Sequence, residues 1–168
     1  MASRAANAHR PRGLPSTGTG WWVFDFHPNP TPIDEPVDTM EIVDSGKWML
    51  FYPKSDMDAK WQEACEHMRN GRFGVVQHMK VSTFRENPRS SDHNKGVIIL
   101  YTPRANKEVV MESGRRIMEI MEYDVTMYFK TNEQTHAGTA ATGQSINHTL
   151  YLRPQIRYQD VFADESFP

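Results

Sequence analysis

The spacing of apolar residues along the chain changes several times, and each change predicts a strand or a helix. Short runs of apolar and aromatic residues are typical of strands, and they occupy residues 21–26, 47–52, 73–81, 96–101, 125–130 and 149–152. Two longer segments repeat apolar residues at helical spacing, which is typical of amphipathic helices, and they occupy residues 55–70 and 107–122. Short connections between neighbouring elements favour an α+β fold with an antiparallel sheet and helices on one face.

Both helices are expected to pack one apolar side on the sheet. Ser55 is the predicted N-cap of the first helix, and Asn70-Gly71 is its predicted left-handed end. Trp48 and Trp61 stand at apolar-periodic positions and are predicted core residues. Gly114 lies inside the second helix, where glycine costs about 1 kcal/mol relative to alanine, so we expect this helix to approach the sheet closely.

Composition divides the chain into three parts. Residues 1–19 consist mostly of Ala, Arg, Pro, Gly, Ser and Thr, and we expect a disordered arm because they offer almost nothing to bury. Residues 20–152 hold the predicted strands and helices and form one domain with one core. Residues 153–168 form a C-terminal tail, which is expected either to pack on its own sheet or to dock on a protein partner. The apolar residues of this tail are Ile156, Tyr158, Val161, Phe162 and Phe167.

Charge and cysteine content exclude several classes of protein. The net charge of −2 argues against a globally basic nucleic-acid-binding protein. The single cysteine, Cys65, excludes an internal disulfide and a cysteine cluster for zinc, and its place on an apolar helix stripe predicts a buried thiol. No apolar run reaches the roughly 18 residues of a membrane span. We therefore expect no membrane contact, no metal, no cofactor, and a cytoplasmic or nuclear location, with an organellar transit peptide as the alternative for the arginine-rich N-terminus.

Three short motifs resemble the cap-binding translation initiation factors of the 4E type. Residues 45–49, Ser-Gly-Lys-Trp-Met, precede a helix that contains Trp61, which resembles a Gly-basic-Trp strand and a tryptophan-bearing helix of that family. Ser113-Gly114-Arg115 resembles the family's Ile-Gly-Arg, and residues 136–140 resemble its His-Ala-x-Thr-Ala loop. Over roughly residues 20–152, the resemblance implies a curved, mainly antiparallel sheet of about six or more strands, with two to three helices on its convex face.

A second family resembles the sequence more closely, the basophilic leukemia expressed protein family, which looks like an offshoot of the same fold. Its Ser-Gly-Lys-Trp-Leu is near-identical to residues 45–49. Its Val-Tyr-Thr resembles Leu100-Tyr101-Thr102, and its tyrosine-lysine strand resembles residues 128–130. Its Thr-Leu-Tyr ending resembles residues 149–151.

The resemblance implies a non-enzymatic protein that binds a nucleotide or an RNA 5′ end on the concave face of the sheet. The initiation factors hold a methylated guanine between two tryptophans, through cation–π stacking. Trp21 or Trp22 is the candidate for one aromatic wall, and strand alternation predicts that one of the two rings is buried and the other is exposed or in a pocket. Asp38 to Met40 stand where the second stacking tryptophan would lie, so the complete sandwich is not evident.

A phosphate clamp is the second part of the predicted site. The initiation factors bind phosphates with lysine and arginine through charge-assisted hydrogen bonds. Lys80, Arg85 and Lys95 surround the loop after the third strand, and His136 and Thr139 are candidates from the last loop. The alternative for all of these is a charged or polar loop that contacts only solvent.

An enzyme that processes phosphodiesters or nucleotides is the main alternative function. His136 and His148 flank one loop, with Tyr128 and Lys130 before it, and two histidines near a lysine suit acid–base chemistry. The paired His-x-Thr signature is absent, however, because Thr139 stands three positions after His136 and Thr149 one position after His148. The sequence also lacks a phosphate-cradling Gly-rich motif, a nucleophile elbow and His-Glu-x-x-His. The sequence therefore favours a binding protein without catalysis.

Overall fold

A computed structural model describes the protein at residues 13–26, 45–88, 90, 92–103, 107–131, 150–153 and 159–162. In chain order these residues form β1 (Trp22–Phe26), β2 (Ser45–Pro53), α1 (Met57–Arg69), β3 (His78–Ser82), β4 (Lys95–Pro103), α2 (Lys107–Ile120), β5 (Met127–Thr131), β6 (Leu150–Arg153) and β7 (Gln159–Phe162). All strand pairs are antiparallel, in one sheet of order β1-β3-β4-β2-β5-β6-β7. The predicted α+β class with a curved antiparallel sheet is confirmed. Within the described residues, no helix has the length and apolar content needed to cross a membrane.

Side-chain alternation gives the sheet a covered face and an open face. On the covered face, Trp48 of β2 lies opposite Leu100 of β4 and Phe129 of β5, and all three are buried beneath the two helices. The open face consists of the alternate residues of the first five strands of the sheet, among them Trp22, Phe24, Phe26, Lys47, Met49, Phe51, His78, Lys80, Ser82, Lys95, Val97, Ile99, Tyr101, Tyr128 and Lys130. Neither helix covers this second face.

The helix α1 buries the predicted apolar stripe and ends as predicted. Trp61 and Cys65 are fully buried, and Gly71 takes a left-handed φ of 67° just after the helix. The predicted N-cap is wrong, because residues 54–56 form a 3-10 turn and Asp56 takes the N-cap position without a side-chain hydrogen bond. The Ser55 hydroxyl instead donates to Asp56 Oδ1 at 3.0 Å.

The strand β3 begins five residues later than the sequence predicts. Gly71 and Gly74 both have left-handed backbones, with φ of 67° and 61°, so the chain turns between them. The turn continues with Val76 N–H donating to the Phe73 carbonyl at 3.4 Å. Phe73 and Val76 are buried nonetheless, so their apolar character reflects the core and not a strand.

The segment 13–20 packs against the domain, so the prediction of a disordered arm is wrong for residues 13–19. The Pro15 carbonyl accepts from the Phe84 N–H at 3.1 Å. Ser16 N–H donates to Asp58 Oδ1 at 2.9 Å, and the Ser16 hydroxyl donates to the other oxygen of the same carboxylate. These hydrogen bonds hold a segment that buries little apolar surface. Residues 1–12 lie outside the described residues.

The C-terminal tail contributes an edge strand to the sheet. The strand β7 pairs with β6 in a register that places Val161 opposite Tyr151. Of the two expectations for the tail, residues 159–162 therefore follow the first, packing on their own sheet.

Gly46 lies on the covered face at a point of close approach between β2 and β5. A Cβ atom added there would overlap three atoms of the Phe129 ring, which packs against Trp48 with ring centroids 5.1 Å apart. We expect Gly46→Ala to lower the free energy of unfolding by about 1–3 kcal/mol, the usual cost of overpacking a core. Urea denaturation measures this, with Gly20→Ala as the control, because the nearest atom to an added Cβ there lies 3.8 Å away. Equal losses in the two variants would contradict the packing argument.

Candidate functional site

Five strands place one residue each in a continuous row across the open face. Phe26 of β1 is opposite His78 of β3, and His78 is opposite Tyr101 of β4. Tyr101 is in turn opposite Lys47 of β2, and Lys47 is opposite Lys130 of β5. We call these five residues the ring–lysine row. In this row, three aromatic rings are therefore followed directly by two lysine side chains.

The three rings of the ring–lysine row are stacked. The His78 and Tyr101 rings are nearly parallel, with centroids 4.2 Å apart at 14°, and Phe26 stacks on the other side of His78 at 5.9 Å and 25°. The pKa of His78 is lowered by burial and by the neighbouring Lys80 charge, so the imidazole is mostly uncharged at pH 7. Phe26 is 57% exposed and opens the stack to solvent at the edge of the sheet.

Three lysines of the open face lie close enough to influence one another. Burial, followed by the charges of Lys80 and Lys130, lowers the pKa of Lys47 from 10.5 to about 8. Lys47 is only 8% exposed, and its direct register neighbour Lys130 carries the same charge. None of the three forms an ion pair with a described residue. Like charges directly opposite each other destabilise a sheet, so this arrangement costs stability unless an anion is present.

Carboxylates are absent from the open face of the five strands β1 to β5. Asp25 is the one acidic residue in these strands, and its register position opposite Met79 places it on the covered face. There it is buried, and its Oδ1 accepts from the Phe26 N–H at 3.0 Å. The described strands therefore present a surface with cationic groups and aromatic rings but without acidic groups.

Comparison with known proteins relates part of the sequence to one family and the structure to one fold. Residues 38–110 match the family described as Basophilic leukemia-expressed protein Bles03. The chain has a 4E-like fold related to that family. No curated protein sequence matches the chain.

Solved structures support the 4E-like fold at low sequence identity. Caenorhabditis elegans eIF4E-3, in complex with the 4E-binding protein Mextli, is 14% identical with a TM-score of 0.51, over 70% of this chain and 68% of that chain. Ascaris suum eIF4E-3 with an m2,2,7G cap is 14% identical with a TM-score of 0.53, over 79% and 70%. A schistosome eIF4E complexed with m7GpppA and 4E-BP is 17% identical with a TM-score of 0.54, over 84% and 75%. At these identities the similarity establishes the fold.

The 4E-like sheet separates the two tryptophans that the sequence singles out. Trp22 is half-buried on the open face, and Lys80 Nζ lies 4.1 Å from the centroid of its ring. Trp21 precedes β1, is 45% exposed, and stacks against the Arg85 guanidinium at 4.1 Å. The expectation that one of the two rings is buried is therefore wrong. Trp22 points to the open face, and Trp21 precedes β1 and lies outside the regular alternation of the strand. Trp22 and Lys80 belong to the open face, and Trp21 and Arg85 form a separate pair.

The remaining predicted site residues are placed away from the ring–lysine row or outside the described residues. Lys95 begins β4, six residues and about 20 Å along the strand from Tyr101, and its ammonium lies 3.9 Å from the Asp92 carboxylate. His136, Thr139 and His148 lie outside the described residues. Of the residues proposed for catalysis, Lys130 and Tyr128 lie on the open face.

Sequence reasoning missed four members of the ring–lysine row, and one signal identifies Lys47. Trp48 is a predicted core residue, and successive strand residues point to opposite faces, so Lys47 has to point away from the core. In the sequence, Lys130 is a candidate only for catalysis. The partnership of Phe26, His78 and Tyr101 depends on strand register, which no local motif encodes.

Proposed function

We propose that this protein binds a phosphorylated nucleotide or an RNA 5′ end on the open face, without catalysis. The observation that carries the proposal is the group of three lysines, Lys47, Lys80 and Lys130, with no carboxylate among them on the described strands. A polyphosphate would relieve the mutual repulsion of these charges and accept charge-assisted hydrogen bonds from them.

The aromatic rings beside the lysines favour a ligand that carries a flat base. Phe24 and Phe26 are exposed on the open face, and Phe26 continues the stack through His78. Stacking of a base on such rings contributes roughly 1–3 kcal/mol per base. The solved Ascaris suum and schistosome proteins with the same fold are complexed with an m2,2,7G cap and with m7GpppA, which supports a nucleotide as the class of ligand.

Calorimetric titration with guanosine triphosphate tests the proposal. We expect saturable binding with a change in tryptophan emission, because Trp22 lies on the open face next to Lys80. Absence of heat and of an emission change at millimolar nucleotide would overturn the proposal.

Lys80→Met links the binding to the open face. We expect the dissociation constant to rise at least about tenfold, since a hydrogen bond to a charged group contributes about 1.5–3 kcal/mol and about 1.4 kcal/mol is a factor of ten. The matched control is Lys60→Met on α1, where the ammonium pairs with Glu63 at 2.8 Å on the other side of the sheet. We expect the control variant to bind like the wild-type protein, and an equal loss in both variants would point to a non-specific effect of charge.

A further inference from the structure

We infer that the open face selects a nucleotide with a neutral base over one with a cationic, N7-methylated base, an inference that rests on the proposed function. Lysine ammonium groups of the chain already lie over the faces of the Trp22 and Tyr101 rings. Lys80 Nζ lies 4.1 Å from the Trp22 ring and 5.7 Å from the Tyr101 ring. Lys47 Nζ lies 6.0 Å from the same Tyr101 ring. A cation of the ligand would compete with these ammonium groups for the negative faces of the rings.

The charge of the surroundings acts in the same direction. An N7-methylated guanine carries a positive charge, and stacking on the open face would bring it toward Lys47, Lys80 and Lys130. A carboxylate near the ring–lysine row would offset this repulsion, but Asp25, the one acidic residue of β1 to β5, lies on the covered face. The interaction of a cationic base with the described strands is therefore repulsive, whereas its phosphates are attracted.

A neutral base meets no such repulsion. Phe24 is 46% exposed, and Phe26 leads into the stack with His78, whose pKa is lowered so that the ring is mostly uncharged at pH 7. Stacking of neutral rings does not require a charge on the base. The ligand class that fits best is thus an unmethylated nucleoside polyphosphate, or an RNA end that carries a 5′-polyphosphate.

Three nucleotides that share the same triphosphate group distinguish the effect of the charge of the base on affinity from the effect of its shape. The probes are guanosine triphosphate, 7-methylguanosine triphosphate and 7-deaza-7-methylguanosine triphosphate, of which the last has the methyl group but no positive charge. We expect the first and third to bind with similar affinity, and the cationic nucleotide to bind about tenfold more weakly, a ratio that corresponds to about 1.4 kcal/mol.

Each outcome of this titration has one meaning. Tighter or equal binding of 7-methylguanosine triphosphate overturns the inference and leaves the proposed function standing. Weak binding of both methylated nucleotides also overturns it, because the bulk of the methyl group and not its charge is then responsible. Binding of none of the three overturns the proposed function itself.

Lys80→Met gives an independent readout of the same inference. The substitution removes one ammonium group from the face of Trp22 and from the neighbourhood of the base. Although all nucleotides should bind more weakly, we expect the preference for the neutral base to fall severalfold, since one source of repulsion is gone. Lys60→Met on α1 is the control and should keep the wild-type ratio. An unchanged ratio in Lys80→Met would overturn the inference.

Discussion

Replacing Trp48 by phenylalanine is expected to lower the free energy of unfolding by about 2–4 kcal/mol, from the cavity and from the lost hydrogen bonds of the indole. Trp48 is completely buried, and its ring packs against Phe129 of β5. Its indole N–H donates to the Val110 carbonyl at 3.2 Å and to Ser113 Oγ at 3.1 Å. The residue therefore connects β2 to β5 by packing and to α2 by hydrogen bonds.

Trp61→Phe is the matched control, because it makes the same change in the same core. Trp61 is also 0% exposed, but its indole N–H finds no hydrogen-bond acceptor among the described residues. The substitution leaves a comparable cavity while removing a buried donor without a partner, which offsets part of the cost. Urea unfolding followed by circular dichroism should show a loss smaller by about 1–3 kcal/mol for Trp61→Phe. Equal losses would contradict the role assigned to the indole hydrogen bonds.

Prediction from sequence succeeds where one side chain pattern determines one structural outcome. The helical spacing of Met57, Trp61 and Cys65 specifies a buried stripe, and the structure buries all three. The burial of Trp48 is predicted in the same way, because an apolar residue next to a lysine in a strand faces the core while the lysine faces away from it. These features depend on local periodicity, which is visible in a single sequence.

Prediction fails where individual backbone conformations or single hydrogen bonds decide the structure. The start of β3 moves to His78 because of the left-handed Gly71 and Gly74, although Phe73 to Val76 are as apolar as a strand. The segment 13–20 is held by contacts such as Ser16 to Asp58, which composition does not reveal. Low apolar content predicts disorder only when such contacts are missing.

The candidate site is a matter of register, and register connects residues that are far apart in the sequence. Alternation alone places Lys47 and Lys80 on the face opposite the core. It does not show that Lys47 is opposite Lys130 or that Tyr101 lies between Lys47 and His78. A register shift of two residues would keep both faces of the sheet but change every cross-strand partner. The sequence therefore suggests a cationic face but not its ring–lysine row.

Lys47→Met is expected to make the protein more stable, by up to about 3 kcal/mol at pH 7. The lowering of the Lys47 pKa from 10.5 to about 8 means that the protonated side chain destabilises the folded state, at about 1.36 kcal/mol per pKa unit. Methionine retains most of the length and apolar volume of the lysine stem but carries no charge. Urea denaturation at pH 7 measures the gain, and a variant less stable than the wild-type protein would contradict the burial of an uncompensated charge.

The pH dependence of this gain identifies its cause. Between pH 8 and 10.5 the unfolded chain keeps the Lys47 proton while the folded protein has released it, so wild-type stability rises with pH through this window. The gain from Lys47→Met should therefore be full below pH 8 and shrink toward pH 10.5. Burial raises the pKa of Cys65, Tyr52 and Tyr123, which destabilises both proteins in alkali, and the difference between the two proteins cancels this contribution. If the stability gained in Lys47→Met does not change with pH, it comes from packing of the methionine and not from removal of the lysine charge.

Nucleotide affinity should change in the opposite direction to stability in the same variant. Lys47 lies beside the Tyr101 ring and opposite Lys130, so its removal takes one of three cationic groups from the proposed phosphate site. We expect the dissociation constant for guanosine triphosphate to rise about tenfold, whereas Lys60→Met should change neither stability nor affinity appreciably. Replacing a residue that only supports the fold would lower both the free energy of unfolding and the nucleotide affinity. If Lys47→Met is more stable but binds the nucleotide more weakly, the Lys47 charge serves ligand binding at the expense of stability. If Lys47→Met is more stable and binds the nucleotide as the wild-type protein does, Lys47 is not part of the binding site.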